Sequence, residues 1–222
     1  VGLLAPLGQV YIAMQDWPRA EAVADELSKS DDPRGRLAAI EIKTTVLSGP
    51  QKSDEAVGYL QSLAANAQAD LATKVAILRT QIGNGQIERA LAYANQLLAQ
   101  EPDNPEVQFI NGSVQVLAGN TAAAEATMRQ LVAADASRIQ AWMTLVRIVS
   151  SDPKRTDEAA KLIDDAQKAA PDVPELKWAK AGIFERKGDY AGAIAIYEDL
   201  YKGNSGNPIV ANNLASLLSA HS

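Results

Sequence analysis

Apolar and polar residues alternate along this chain with the period of an α-helix, and this helical pattern itself recurs at a nearly constant interval. One alanine marks each recurrence, and its six occurrences are Ala20, Ala56, Ala90, Ala124, Ala159 and Ala193. Further apolar residues follow it four and seven positions later in every unit. These spacings place the three residues on one helix face. The pattern predicts a stacked array of small helical units.

Turn-forming residues separate this helix from an earlier one in the same unit. They occur in four units, as Gln15-Asp16-Trp17, Gly85-Gln86-Ile87, Gly119-Asn120-Thr121 and Gly188-Asp189-Tyr190. Glycine ends a helix at such a point because it reaches positive φ without a steric penalty. Each unit is therefore predicted to be a helix, a tight turn, a second helix and a short link. The alanine stays small because the two helices cross closely there.

The spacing of these residues resembles the tetratricopeptide repeat, whose unit is about 34 residues long. The resemblance is carried in the first unit by Leu7, Gly8, Tyr11, Ala20 and Leu27, and in the sixth by Phe184, Gly188-Asp189-Tyr190, Ala193, Tyr197 and Leu200. It implies an all-α fold, a right-handed α-solenoid of six helix-turn-helix units plus one extra helix. The units are 1–34, 35–70, 71–104, 105–138, 139–173 and 174–207, with a partial unit at 208–222.

The resemblance covers residues 1–222 as a single array. The second and fifth units are slightly longer than the others, and we expect their extra residues in longer turns at Ser48–Asp54 and Ser150–Asp157. Val1 is not an initiator methionine, and 208–222 holds only one helix of a pair. We therefore expect the chain to be a fragment of a longer protein.

Composition restricts the partners of the array. The net charge is −6 and no Lys/Arg cluster offsets it, which argues against a nucleic-acid surface. No apolar run approaches the roughly 20 residues that a membrane helix needs, so we expect no membrane insertion by this segment. The absence of cysteine excludes disulfides and cysteine-based metal sites.

No catalytic, metal-binding or cofactor-binding motif is present in the sequence. The single histidine, His221, lies next to the end of the chain, where chains fray. The acidic pairs Asp31-Asp32 and Asp164-Asp165 fit helix capping and a solvated face. Gly83-Asn84-Gly85 falls where the repeat requires a turn and has no following Lys-Ser/Thr. We predict a protein that is not an enzyme and holds no cofactor.

In the family that this chain resembles, the first helices line a concave groove, and their fifth and ninth positions project into it. These positions supply the apolar residues Val75, Phe109, Met143 and Trp178 and the basic residues Lys43, Arg79 and Arg147. Such a groove suits a peptide with hydrophobic and acidic side chains. In the alternative interpretation, Phe109 and Met143 pack between helices and the cations are merely solvated.

The resemblance implies a non-catalytic scaffold that binds a peptide or protein surface in this groove. One alternative is a substrate-recruiting arm of a longer enzyme whose catalytic domain lies outside the fragment. Another is self-association through exposed ends that carry Leu214, Leu217 and Leu218. The turn residues and the segment from Pro208 also resemble large bacterial repeat proteins of exopolysaccharide synthesis and export, which favours the bacterial envelope or periplasm over the cytoplasm.

Overall fold

The computed structural model describes residues 2–47, 55–56, 58–59, 62, 71–83, 85–204 and 206–221. The described residues contain twelve complete α-helices and no strand. The helices are α1 Leu4–Ala13, α2 Trp17–Ser28, α3 Pro33–Leu47, α4 Leu71–Gly83, α5 Ile87–Gln100, α6 Pro105–Leu117, α7 Thr121–Ala134, α8 Ile139–Ser150, α9 Thr156–Ala169, α10 Pro174–Lys187, α11 Tyr190–Gly203 and α12 Pro208–His221. The all-α helical-repeat fold is thus confirmed. The predicted longer turn at Ser48–Asp54 lies outside the described residues.

The turns between paired helices have the backbone conformation that the glycines predict. Gly85, Gly119 and Gly188 have φ values of 71°, 79° and 75°, in the left-handed region. Gln15 occupies the corresponding position after α1, with φ of 56°. Between α8 and α9 the chain instead forms a short 3₁₀ turn, Pro153–Arg155, within the segment predicted to be a longer turn.

All six marked alanines are buried in the described structure, each with 0% of its surface exposed. Among the apolar residues that follow them, Leu27, Met128 and Ile163 are buried too. Gly8 has the same function on a first helix, because a Cβ there would overlap the side chain of Ile42. Small residues therefore occupy the helix crossings, as the sequence predicts.

The chain divides into two compact units, each larger than a single repeat. The first unit is residues 1–99 and the second unit is residues 100–222. In the first unit, α1 packs on α2, α2 on α3, and the first helices α1, α3 and α4 contact one another in succession. In the second unit, α6 to α12 pack in chain order, and the first helices α6, α8 and α10 contact one another in the same way. Within each unit the first helices therefore form a continuous row.

The exposed apolar surface is not where the sequence analysis expected it. Leu217 is only 7% exposed, because it packs with Val210 against α11, so its predicted exposure is wrong. Leu214 packs against the same cluster, while Leu218 is exposed. A longer apolar stripe runs along α1 and the residues that flank it, at Leu3, Leu7, Val10 and Met14, all exposed.

Candidate functional site

The rows of first helices enclose clefts, and several predicted groove residues line them. In the first unit a cleft of about 790 Å³ lies between α3 and α4, with Gln9 of α1 at its edge. Val75 and Arg79, one helical turn apart on α4, both line it. We call this surface the first-unit cleft. Its lining residues come from the first helices α1, α3 and α4.

The first-unit cleft offers hydrogen-bonding groups beside its apolar walls. Arg79 is exposed and has no carboxylate at ion-pair distance among the described residues. The hydroxyl of Thr44 is buried in the wall, also without a hydrogen-bond partner in the described part of the chain. A buried polar group without a partner costs about 1–3 kcal/mol. The Thr44 oxygen is covered by the protein, so of these two groups only Arg79 faces solvent.

Lys43, the other basic residue predicted in the first unit, forms ion pairs with residues of that same unit. Its Nζ lies 2.7 Å from Oδ1 of Asp25 and 3.8 Å from Oε1 of Glu21, both on α2. It also lies 5.5 Å from the ring centroid of Tyr59. The hydrogen bond to Asp25 raises the pKa of Lys43 above its ordinary value. The structure therefore places Lys43 in an ion pair that joins α2 to α3.

In the second unit, Met143 of α8 and Trp178 of α10 stand between two adjoining clefts and line both. One cleft, of about 440 Å³, runs toward the carboxyl ends of α8 and α10 and contains Arg147. The other, of about 450 Å³, runs toward the amino ends and reaches α12. We call the two together the second-unit groove. Three predicted site residues, Met143, Arg147 and Trp178, thus meet at one surface.

The Trp178 ring is held in place from behind by Tyr197 of α11. The two rings meet edge to face, with centroids 5.7 Å apart and planes at 81°. The Tyr197 hydroxyl donates to Oε1 of Glu185 at 2.8 Å and accepts from Nδ2 of Asn213 at 3.4 Å. Burial, aided by the hydrogen bond to Glu185, raises the pKa of Tyr197 to about 12. The groove therefore presents an aromatic side chain with restricted freedom.

Phe109 lies apart from these three residues. It is half-buried on α6 and packs against the core of the second unit, which also contains Leu131 and Leu145. Met143 packs against the same core but still reaches the groove. Phe109 is therefore not among the residues that line the second-unit groove.

The groove also contains residues that the sequence analysis did not name. Arg186 lies beside Arg147, and its Nη1 donates to the carbonyl of Ser150 at 3.0 Å. At the other end of the groove lie Asp172 and Glu175. Arg186 is two helical turns after Trp178, so extending the same-face spacing along α10 would have found it. Asp172 precedes α10 and gave no periodic signal.

The described residues place limits on other kinds of site. None of their helices has both the length and the apolar character needed to cross a membrane. Over the same residues, no three histidine or acidic side chains gather in a way that could hold a metal ion.

Two family models match the sequence, both described as tetratricopeptide repeats, over residues 81–148 and 154–208. No curated protein sequence matches this chain.

Solved structures with the same fold cover most of the chain at low identity. A type IV pilus biogenesis factor, PilW, is 16% identical with a TM-score of 0.63, over 96% of this chain and 97% of its own. A repeat protein of Thermus thermophilus is 18% identical with a TM-score of 0.61, over 82% and 98%. A Parabacteroides merdae repeat protein is 17% identical with a TM-score of 0.60, over 90% and 78%.

Proposed function

Because this chain belongs to the tetratricopeptide repeat family, a fold of protein-interaction scaffolds, we propose that it acts as a non-catalytic scaffold that binds a partner protein between its first helices. The partner contributes a peptide segment or a narrow surface element, since each cleft lies between neighbouring first helices. Binding requires no chemistry beyond apolar contact and charge pairing.

One observation carries this proposal: Met143, Arg147 and Trp178 line a single cleft between α8 and α10. A bulky aromatic ring held by its neighbours makes a good anchor, because little side-chain freedom is lost when a ligand packs on it. An apolar side chain of the partner packs between Met143 and Trp178. A carboxylate of the partner pairs with Arg147, which is exposed and lacks an ion-pair partner among the described residues.

The first-unit cleft also combines an apolar side chain with an arginine, although it has no aromatic residue in its lining. Val75 supplies apolar surface and Arg79 supplies the cation. We propose that it binds a second acidic segment of the partner. Lys43 is left out of the binding set, because a partner carboxylate would have to displace Asp25 at 2.7 Å.

The test uses Gly182, which lines the second-unit groove and has no atom within 4 Å of where a Cβ would lie. Gly182→Leu therefore fills the groove while leaving the packing intact. Peptides selected from a displayed random library against the wild-type chain are measured by fluorescence anisotropy. We expect Gly182→Leu and Arg147→Glu each to weaken binding about tenfold or more, which corresponds to about 1.4 kcal/mol.

Matched controls place the same changes outside the groove. Ala195→Leu adds a leucine to an exposed position of α11, and Lys161→Glu reverses an exposed charge on α9. Both should leave affinity within about twofold, and thermal melting should show all four variants folded. If selected peptides bind Gly182→Leu as tightly as the wild type, the groove is not the binding surface.

A further inference from the structure

The two ends of the second-unit groove carry opposite charge. The end toward the carboxyl termini of α8 and α10 contains Arg147 and Arg186, which we call the basic end. The end toward the amino termini contains Asp172, Glu175 and Asp199, which we call the acidic end. Met143 and Trp178 lie between them. The groove therefore has an apolar centre, a cationic end and an anionic end.

The basic end has no carboxylate of its own within the described structure. The cleft that contains Arg147 and Arg186 is lined otherwise by apolar, small and hydroxyl residues. Arg186 donates to a backbone carbonyl, that of Ser150, which leaves its charge unbalanced. The acids near these arginines along the chain have other partners. Glu185 accepts from the Tyr197 hydroxyl at 2.8 Å, and Asp189 and Asp152 accept from the backbone N–H groups of Gly192 and Lys154, each at 2.9 Å. Two guanidinium groups are thus available to an anionic ligand.

The acidic end is only partly balanced. Its single cation, Lys177, is taken by Asp199, with Nζ 2.6 Å from Oδ2. Asp172 and Glu175 are exposed and have no cation at ion-pair distance in the described part of the chain. This end therefore keeps an excess of two negative charges, opposite in sign to the basic end.

The separation of the two ends sets the length of a ligand that reaches both. Glu175 and Arg186 are eleven residues apart on α10, which corresponds to about 16 Å at 1.5 Å per residue. A strand rises about 3.3 Å per residue, so about five extended residues span this distance. A helix would need about eleven residues for the same span, so an extended segment reaches both ends with the fewest residues.

We propose that the second-unit groove binds an extended partner segment with an acidic residue and a basic residue about five positions apart and a bulky apolar residue between them. The acidic residue pairs with Arg147 and Arg186, the apolar residue packs on Trp178, and the basic residue pairs with Glu175 and Asp172. This inference rests on the proposed function, since it names the ligand of the same groove. It adds that the groove recognises the order of an acidic and a basic residue in the segment, and not the net negative charge of the partner.

The same charges also suit the helix dipole, since carboxylates favour a helix amino terminus and cations a carboxyl terminus. The experiment must therefore separate ligand recognition from stability. Reversal of charge at one end achieves this, because it changes which peptide is preferred, an outcome that a change in stability alone does not produce.

Three fluorescein-labelled peptides serve as probes, each with the same leucine–leucine–tryptophan–leucine centre, which places the flanking residues five positions apart. One has aspartate on one side and lysine on the other, one has aspartate on both sides, and one has lysine on both. The wild-type chain should bind the mixed peptide at least tenfold tighter than either of the others. Arg147→Glu/Arg186→Glu should come to prefer the lysine peptide, and Asp172→Lys/Glu175→Lys the aspartate peptide.

The neutral variant Asp172→Asn/Glu175→Gln is the control in case the charge-reversed variant does not fold. It should bind the mixed and aspartate peptides about equally. If all three peptides bind the wild type equally and Gly182→Leu abolishes that binding, the charge inference is overturned and the proposed function stands. If no probe or library peptide depends on Gly182, both are overturned.

Discussion

Gln15 lies in the turn after α1 and has a φ of 56°, the left-handed conformation that glycine adopts after the corresponding helices. A residue with a Cβ pays about 1–2 kcal/mol in this region, while glycine loses more backbone entropy on folding. We predict that Gln15→Gly stabilises the protein by about 0.5–1 kcal/mol, measured from the midpoint of urea unfolding. The converse change, Gly188→Ala, should destabilise by a similar amount. A loss of stability in Gln15→Gly would contradict this account of the turn.

Gly8 and Gly182 form a matched pair, both inside first helices. A Cβ at Gly8 would overlap Cδ1 of the fully buried Ile42 and lie 3.2 Å from Cγ1 of Val23, whereas Gly182 faces open space. Overpacking costs about 1–3 kcal/mol and alanine gains up to about 1 kcal/mol in helix propensity. Gly8→Ala should therefore destabilise by about 1–2 kcal/mol and Gly182→Ala stabilise by about 0.5–1 kcal/mol. Equal effects in urea unfolding would refute the close crossing.

The role of a residue can be predicted from the sequence when it depends on the local turn or on helical periodicity. The left-handed glycines and the buried alanines follow from turn chemistry and helical spacing, and both predictions are confirmed. The engagement of Lys43 could not be predicted in this way, because its partner Asp25 is 18 residues away on another helix. Leu217 was misjudged for a related reason, since only the packing of α12 on α11 shows which face is covered.

The second helices of two adjacent repeats, α7 and α9, are also joined by a network of ion pairs. Glu125 of α7 accepts from Arg155 in the 3₁₀ turn at 2.7 and 2.8 Å, and from Arg129 at 2.8 Å. Arg129 and Arg155 both also contact Glu158 of α9. The hydrogen bond from Arg155 is the largest cause that lowers the pKa of Glu125 from 4.5 to about 2. Arg155, in the longer turn of the fifth repeat, thus links α7 to α9 through its hydrogen bonds to Glu125 and Glu158.

This network predicts a specific pH dependence. Because the folded pKa of Glu125 lies below its unfolded value, the ionised carboxylate stabilises the fold fully above about pH 4.5, and this contribution is lost as the pH falls toward 2. Allowing for solvent screening, Glu125→Gln should cost about 1–2 kcal/mol at pH 7. The difference from wild type should shrink as the pH falls through this range. Urea unfolding at several pH values measures it.

The control is Glu26→Gln, which removes one side of a solvent-exposed ion pair with Lys29. Exposed pairs contribute about 0–1 kcal/mol, so this variant should stay close to wild type at every pH. A cost for Glu125→Gln that does not change between pH 7 and pH 2 would show that the carboxylate charge is not the stabilising feature.

The two compact units of the chain each have a core of their own. The cores of residues 100–222, one centred on Leu145 and one on Tyr197, contain only residues of that unit. In repeat proteins stability is approximately a sum over repeats and their immediate interfaces. We therefore predict that residues 100–222 fold alone, with a helical circular dichroism spectrum and a cooperative thermal transition. A fragment without such a transition would show that the second unit needs the first.

If that fragment folds, it should also retain the groove. Every residue assigned to the second-unit groove, from Met143 to Val210, lies within it, and so does Tyr197, which holds Trp178. A peptide whose binding to the whole chain depends on Arg147 should therefore bind the fragment within about threefold, measured by anisotropy under the same salt. A peptide that depends on Arg79 should not bind the fragment, since the first-unit cleft is absent from it. Loss of the Arg147-dependent peptide by a folded fragment would mean that the ligand also needs residues 1–99, and the groove would then be only part of the binding surface.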